Sequence, residues 1–132
     1  MIANELRINN LISFSETGDI FRVVEISPKG FRVINKNEDT WIEEWQFEGV
    51  LLTKDWLLKL GAKKNQLQNG YWLSVTNLKA ELHFETFDNT DEIVTTIISQ
   101  SCELILDRIK YVHEYQNLYY ALTKCELSLS GI

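Results

Sequence analysis

The stretch Asp107-Arg-Ile-Lys-Tyr-Val-His-Glu-Tyr-Gln-Asn-Leu-Tyr-Tyr-Ala-Leu-Thr123 constrains the fold more than any other. Laid out at about 100° per residue it divides into two unequal faces. Tyr111, Val112, Tyr115, Leu118, Tyr119 and Leu122 form a broad apolar arc, extended by Ile109 and Tyr120. Lys110, His113, Glu114, Asn117 and Ala121 form a narrower polar strip. A helix that is apolar over more than half its girth must be covered on most sides. The spacing therefore predicts a helix over 107–123, capped by Asp107, against which the rest of the chain packs.

The rest of the chain reads as short extended segments. Leu6–Phe14 alternates loosely around Asn9-Asn10, and Ser15–Asp19 is a turn by composition. Ile20–Ile26 is β-branched and aromatic with no helical stripe. Ser27-Pro-Lys-Gly30 is a turn, Phe31–Ile34 a strand and Asn35–Asp39 a polar loop. Thr40–Phe47 reads as one further extended segment, followed by Gly49 and the apolar run Val50–Leu52. Four or five strands at this spacing predict an SH3-like small β-barrel or curled sheet over residues 1–52. Thr53–Gly61 is a short helix with Thr53 as N-cap, Asp55 in the first turn, Trp56, Leu57 and Leu60 on one face, and Gly61 as its stop.

Beyond it, Asn69-Gly70 is a hairpin signal. Strands are expected at Tyr71–Val75, Ala80–Phe87, Ile93–Ile98 and Cys102–Leu106. Residues 53–132 thus read as an antiparallel sheet packed against the C-terminal helix, giving an α+β protein. The seam between the parts is expected at Gly49–Thr53, with one continuous domain as the alternative.

The chain has 132 residues, 45% hydrophobic and 24% charged, with one proline, which suits a folded core rather than disorder. At this length roughly two-thirds of the unfolded surface can be buried. A net charge of -6 disfavours a nucleic-acid binder, whose affinity rests on Lys and Arg against phosphate. It leaves open an acidic protein that binds a basic partner. The first residues lack a basic region followed by an apolar run, and no apolar stretch approaches the ~20 residues that span a bilayer. The expectation is a cytoplasmic protein with Cys102 and Cys125 reduced, a disulfide between them being the minority alternative.

Three stretches carry a resemblance. Asn4-Glu-Leu-Arg-Ile-Asn-Asn-Leu-Ile12 is similar to the opening of a family of small uncharacterised proteins of Bacteroidales bacteria and their phages or mobile elements. Val50–Gly61 resembles that family's middle motif, and Ile109–Thr123 its C-terminal motif. Glu114-Tyr115 stands where glutamine and leucine are common, and Lys124-Cys125 where a glycine stop is usual. The family has no established activity, so the resemblance implies an origin and brings no chemistry.

The residues themselves offer little chemistry. His83 and His113, with Glu81, Glu85 or Glu114, could supply metal ligands, but they lie on different elements without a ligand-type spacing. Both read as surface histidines. Cys102 or Cys125 with His113 lacks any Cys–His signature. Tyr111, Tyr115, Tyr119, Tyr120 and Trp72 could stack bases, but helical spacing favours core packing. The acidic groups Glu38, Asp39, Glu43, Glu44, Glu48 and Glu85, Asp88, Asp91, Glu92 read as solvated loops and strand faces.

Gln116 stands out inside the apolar arc, where a buried amide needs partners and is expected to bond a strand backbone. His113 and Asn117 are expected to face outward together, and with Trp41 and Trp45 they are the candidate interaction residues. No catalytic, cofactor-binding or metal residues are assigned. Three functions follow in order: a non-enzymatic interaction module with a protein partner, an acidic nucleic-acid mimic, and a small His/carboxylate enzyme. Self-association is a further expectation, since a small chain with this much apolar surface can bury it between copies.

Overall fold

The computed structural model describes residues 5–65, 70–75, 80–86, 93–98 and 103–129. The fold is α+β: the described residues form two antiparallel five-stranded sheets and two α-helices. The first sheet contains β1 (Leu11–Phe14), β2 (Ile20–Ser27), β3 (Gly30–Ile34), β4 (Asp39–Ile42) and β5 (Phe47–Gly49), in the order β4-β3-β2-β1-β5. The Ser27–Gly30 turn closes the β2–β3 hairpin. Ser27 Oγ accepts from Lys29 N and donates to Gly30 O, both at 3.2 Å. Gly30 is required here, because its φ is +155° and a Cβ would stand 2.6 Å from Ile42 O.

Alternation sends Ile12, Phe21, Val23, Phe31, Val33, Ile42 and Phe47 to one face, where they form a buried cluster with Leu6. Phe31 on β3 and Phe47 on β5 meet edge-to-face with centroids 5.1 Å apart. These strands are three places apart in the sheet, about 14 Å if it were flat, so the sheet curls strongly. β4 and β5 remain its edges, and the barrel is not closed. A bulge between Val23 and Glu25 supplies part of the bend.

Two boundaries differ from expectation. Leu6–Phe14 is a strand only from Leu11, because Asn9 adopts a left-handed φ of +77° and its N–H bonds Val23 O at 2.8 Å. Thr40–Phe47 is not continuous. A 3-10 turn at Glu44–Gln46 breaks it, with Gln46 Oε1 accepting from Glu43 N at 2.8 Å.

Helix α1 (Lys54–Lys59) starts and stops as its sequence predicts. Thr53 Oγ1 accepts from Trp56 N at 3.3 Å, Leu57 and Leu60 are buried, and Gly61 takes φ +99°. The second sheet, β10-β9-β8-β7-β6, is a meander of β6 (Lys63–Asn65), β7 (Gly70–Val75), β8 (Ala80–Thr86), β9 (Ile93–Ile98) and β10 (Glu103–Ile109). Leu82 and Phe84 point inward from β8, with Glu81, His83 and Glu85 on its other face. The turn before Gly70, the acidic residues Asp88, Asp91 and Glu92, and Cys102 fall outside the described residues, while Cys125 is an exposed free thiol.

Helix α2 (Val112–Thr123) begins four residues later than expected, its N-cap being Tyr111 and not Asp107. Asp107, Arg108 and Ile109 still pair with Thr95, Val94 and Ile93 of β9, past a bulge between Ile105 and Asp107. Asp107 is therefore a strand residue and not the cap. The chain then crosses Val50–Leu52: Val112 N bonds Val50 O and Leu52 N bonds Lys110 O, each at 2.8 Å. Glu114 Oε1 accepts from Lys110 N at 3.1 Å and Tyr111 N at 3.0 Å, so the cap comes from inside the first turn. At the far end Lys124 takes the left-handed position, φ +60°, that a glycine commonly fills. A larger core joins the two parts of the chain. Leu11, Val50 and Leu52 pack with Leu57, Leu60, Tyr71, Leu82, Phe84, Ile93, Val112 and Tyr115.

Candidate functional site

Two regions hold the candidate residues. The first is the polar strip of α2. Gln116 is buried and bonds strand backbone as its position in the arc predicts: Oε1 accepts from Leu11 N at 2.8 Å and Nε2 donates to Asn9 O at 2.9 Å. Asn117 Nδ2 donates to Glu5 O at 2.8 Å, and its Oδ1 accepts from Arg7 Nε and Asn10 Nδ2, each at 2.9 Å. Asn10 is itself buried, its Oδ1 accepting from Arg7 N at 2.7 Å. Arg7 lies over the Tyr120 ring, 4.2 Å from its centroid, and pairs with Glu126 at 2.7 Å.

The expectation that His113 and Asn117 face outward together is corrected. His113 is fully buried, stacked on Tyr111 with centroids 5.5 Å apart, and its Nε2 lies 3.0 Å from Glu5 Oε2. Asn117 is half-buried. The chain's own N-terminal arm, residues 5–10, covers His113 and part of Asn117, while Lys110 and Ala121 of the strip stay exposed. Two of the stretches that carry the resemblance, 4–12 and 109–123, meet here, and their Asn-Asn and Gln-Asn pairs interlock. Sequence reasoning missed Arg7 and Asn10. The signal for them was Asn9-Asn10 inside a supposed strand, since asparagine tolerates left-handed backbone.

The second region is the β4 edge. Trp41 is 54% exposed on β4 and Trp45 is 71% exposed in the following 3-10 turn. Trp41 sits opposite Arg32 in the ladder. Arg32 holds Asp39 through two bonds, 2.9 and 2.8 Å, and Glu25 at 2.7 Å. Those bonds keep the Asp39 carboxyl below its usual range and raise the guanidinium further. The Trp45 indole N–H donates to Glu43. Asn35 N bonds Glu38 O at 2.9 Å, and alternation from that pair turns the Asp39 and Trp41 peptide groups away from β3. Beside them a shallow groove of about 430 Å³ is lined by Ile26, Pro28, Phe31 and Trp45 with Lys29, Glu43 and Glu44.

No group of three His, Cys, Asp or Glu side chains suited to a metal exists among the described residues. His83 Nε2 pairs with Glu81 at 3.0 Å, and His113 with Glu5, so the two histidines serve different partners. Tyr115 is buried against Phe84, its hydroxyl without a partner among the described residues and its ionisation pushed up by burial and then by Tyr119. It is core and not a stacking platform. The first acidic cluster is partly neutralised, since Asp39 is held by Arg32. Among the described residues no helix is long and apolar enough to cross a membrane. No protein-family model matches the chain, and no curated protein or solved structure matches it.

Proposed function

We propose that the protein is a non-enzymatic interaction module that binds a protein partner at the β4 edge. The observation that carries this reading is the exposure of two indoles at an open sheet edge, Trp41 on β4 and Trp45 in the turn that follows it. Indoles combine large apolar area with few rotatable bonds, which makes them frequent anchors of binding energy. A strand edge with outward peptide groups adds backbone recognition to that anchor. Cytoplasmic work on behalf of a phage or mobile element is supported by the resemblance in residues 4–12, 50–61 and 109–123. Self-association through the same edge is the homo-oligomeric form of this proposal.

Affinity capture with the wild-type chain and the double variant Trp41→Ala/Trp45→Ala tests it. The expected result is a set of proteins retained by the wild type and lost by the variant, both chains having the same circular dichroism. Equal retention by both chains, or retention by neither, overturns the reading. Light scattering separates the homo-oligomeric form: a dimer of the wild type must become a monomer in the double variant.

A further inference from the structure

A half-open pocket of about 280 Å³ lies on the first sheet's face opposite the Phe31–Phe47 cluster, beside the larger core, and neither Trp41 nor Trp45 lines it. Its floor is a cross-strand row. Leu11 on β1 faces Arg22 on β2, which faces Ile34 on β3. Ile20 and Leu129 complete the apolar wall, and Lys36 stands at the mouth. Ile20, Ile34 and Leu129 are each only half-buried, so three aliphatic side chains converge on space that no described residue fills.

The charge of this pocket runs against the protein's. The chain carries -6 overall, yet both charged residues lining the pocket, Arg22 and Lys36, are basic. Neither has a carboxylate partner among the described residues, whereas Arg7 and Arg32 both do. Arg22 is half-buried between two aliphatics, its stem on apolar surface and its guanidinium at the pocket. Its one hydrogen-bond partner among the described residues is Asn9 Oδ1, 3.1 Å from Nη1. Asn9 is fixed in turn by Val23 O through its N–H and by Gln116 through its carbonyl. The guanidinium is thus aimed by a rigid chain of contacts, with donors to spare. A forked cation over an apolar floor fits one chemistry best, a carboxylate on an apolar tail.

We propose that this pocket binds a small amphipathic carboxylate of medium-chain fatty-acid type. The carboxylate takes the Arg22 donors that no described residue occupies, Lys36 neutralises it at the mouth, and the tail covers Ile20, Ile34 and Leu129.

Decanoate and decanol, which share a tail and differ in charge, separate this from general greasiness. Titrations of the full chain by two-dimensional amide NMR, below the micellar concentration, should show saturable decanoate shifts at Leu11, Arg22 and Ile34. Decanol should bind about tenfold more weakly, the size expected of a charge-assisted hydrogen bond. Arg22→Gln should bring decanoate down to decanol's affinity. Lys36→Gln, on the exposed hairpin loop, should weaken decanoate about two- to fivefold. Added salt should weaken decanoate and not decanol. Absence of saturable binding, equal affinity for the two probes, or shifts confined to other elements overturns the proposal. If Arg22→Gln does not fold, unchanged decanoate affinity in Lys36→Gln and in high salt overturns it equally.

Discussion

On the side of helix α2 that faces the second sheet, Val112 and Tyr115 pack with Leu82, Phe84 and Ile93. On the side that faces the N-terminal arm, His113, Gln116 and Asn117 bond named atoms of residues 5–11. The first contact is apolar and non-directional, and it tolerates small slides of the helix. The second is directional: each bond has one donor, one acceptor and a narrow range of angles. The apolar face supplies most of the stability. The polar face fixes where along the helix the arm and β1 must sit. A shift of the arm by one residue would leave Leu11 N–H and Asn9 C=O without Gln116.

That contrast can be broken from the apolar side with the largest effect. Tyr115→Ala should cost about 3–5 kcal/mol in chemical denaturation, because it empties a fully buried aromatic site. Against a typical total of about 5–15 kcal/mol this brings the chain near unfolding. A loss below 1 kcal/mol would show that the helix is not the centre of the core. From the polar side, Gln116→Leu keeps volume and removes one bond to the arm, at Asn9, and one to β1, at Leu11. A buried N–H and a part-buried carbonyl left unpaired should cost about 2 kcal/mol. Hydrogen exchange at the Leu11 amide should accelerate while β8 and β9 amides stay protected, and uniform acceleration would argue against a separate docking face.

A third variant sharpens the comparison on one residue. Tyr115 presents a hydroxyl with no partner among the described residues. Tyr115→Phe should therefore leave stability unchanged or raise it by up to about 1 kcal/mol, measured as a higher Tm. A clear loss would mean that the hydroxyl is bonded after all. The smallest effect lies at the far edge of the first sheet. Arg32 lowers the folded pKa of Asp39, so this pair's contribution is complete above the ordinary carboxyl range. It fades as pH falls through the folded value. A carboxyl carbon titration by NMR should give Asp39 a midpoint below its ordinary 3.8. An ordinary midpoint would show the pair to be open in solution, and Asp39→Asn should flatten this part of the acid limb.

Legibility followed the range of the interactions. Strand β9 was readable as Ile93–Ile98 because its β-branched run is a local signal. Helix α1 was readable because Thr53 and Gly61 are local caps. The start of α2 was not, because Ile109 and Tyr111 suit a strand and a helix alike, and pairing with β9 decides the matter. Gln116 was legible as a buried amide since it interrupts an apolar arc. His113 was not, because a polar side chain beside other polar side chains looks the same whether water or a distant arm covers it. The pocket at Arg22 was equally silent, since the absence of an ion pair is a property of the folded surroundings.

The bond between Leu11 N and Gln116 spans 105 positions, and that separation has a consequence in time. A ribosome adding about 5–20 residues per second makes residue 11 some 5–20 s before residue 116. Once β5 and Val50–Leu52 have been made, the nascent first sheet has its strands but lacks the helix that fixes its opening strand and packs with Leu11, Val50 and Leu52. Folding cannot finish from front to back. The earliest part of the chain must wait for nearly the last, and a chaperone that shelters the waiting apolar face would act in that interval.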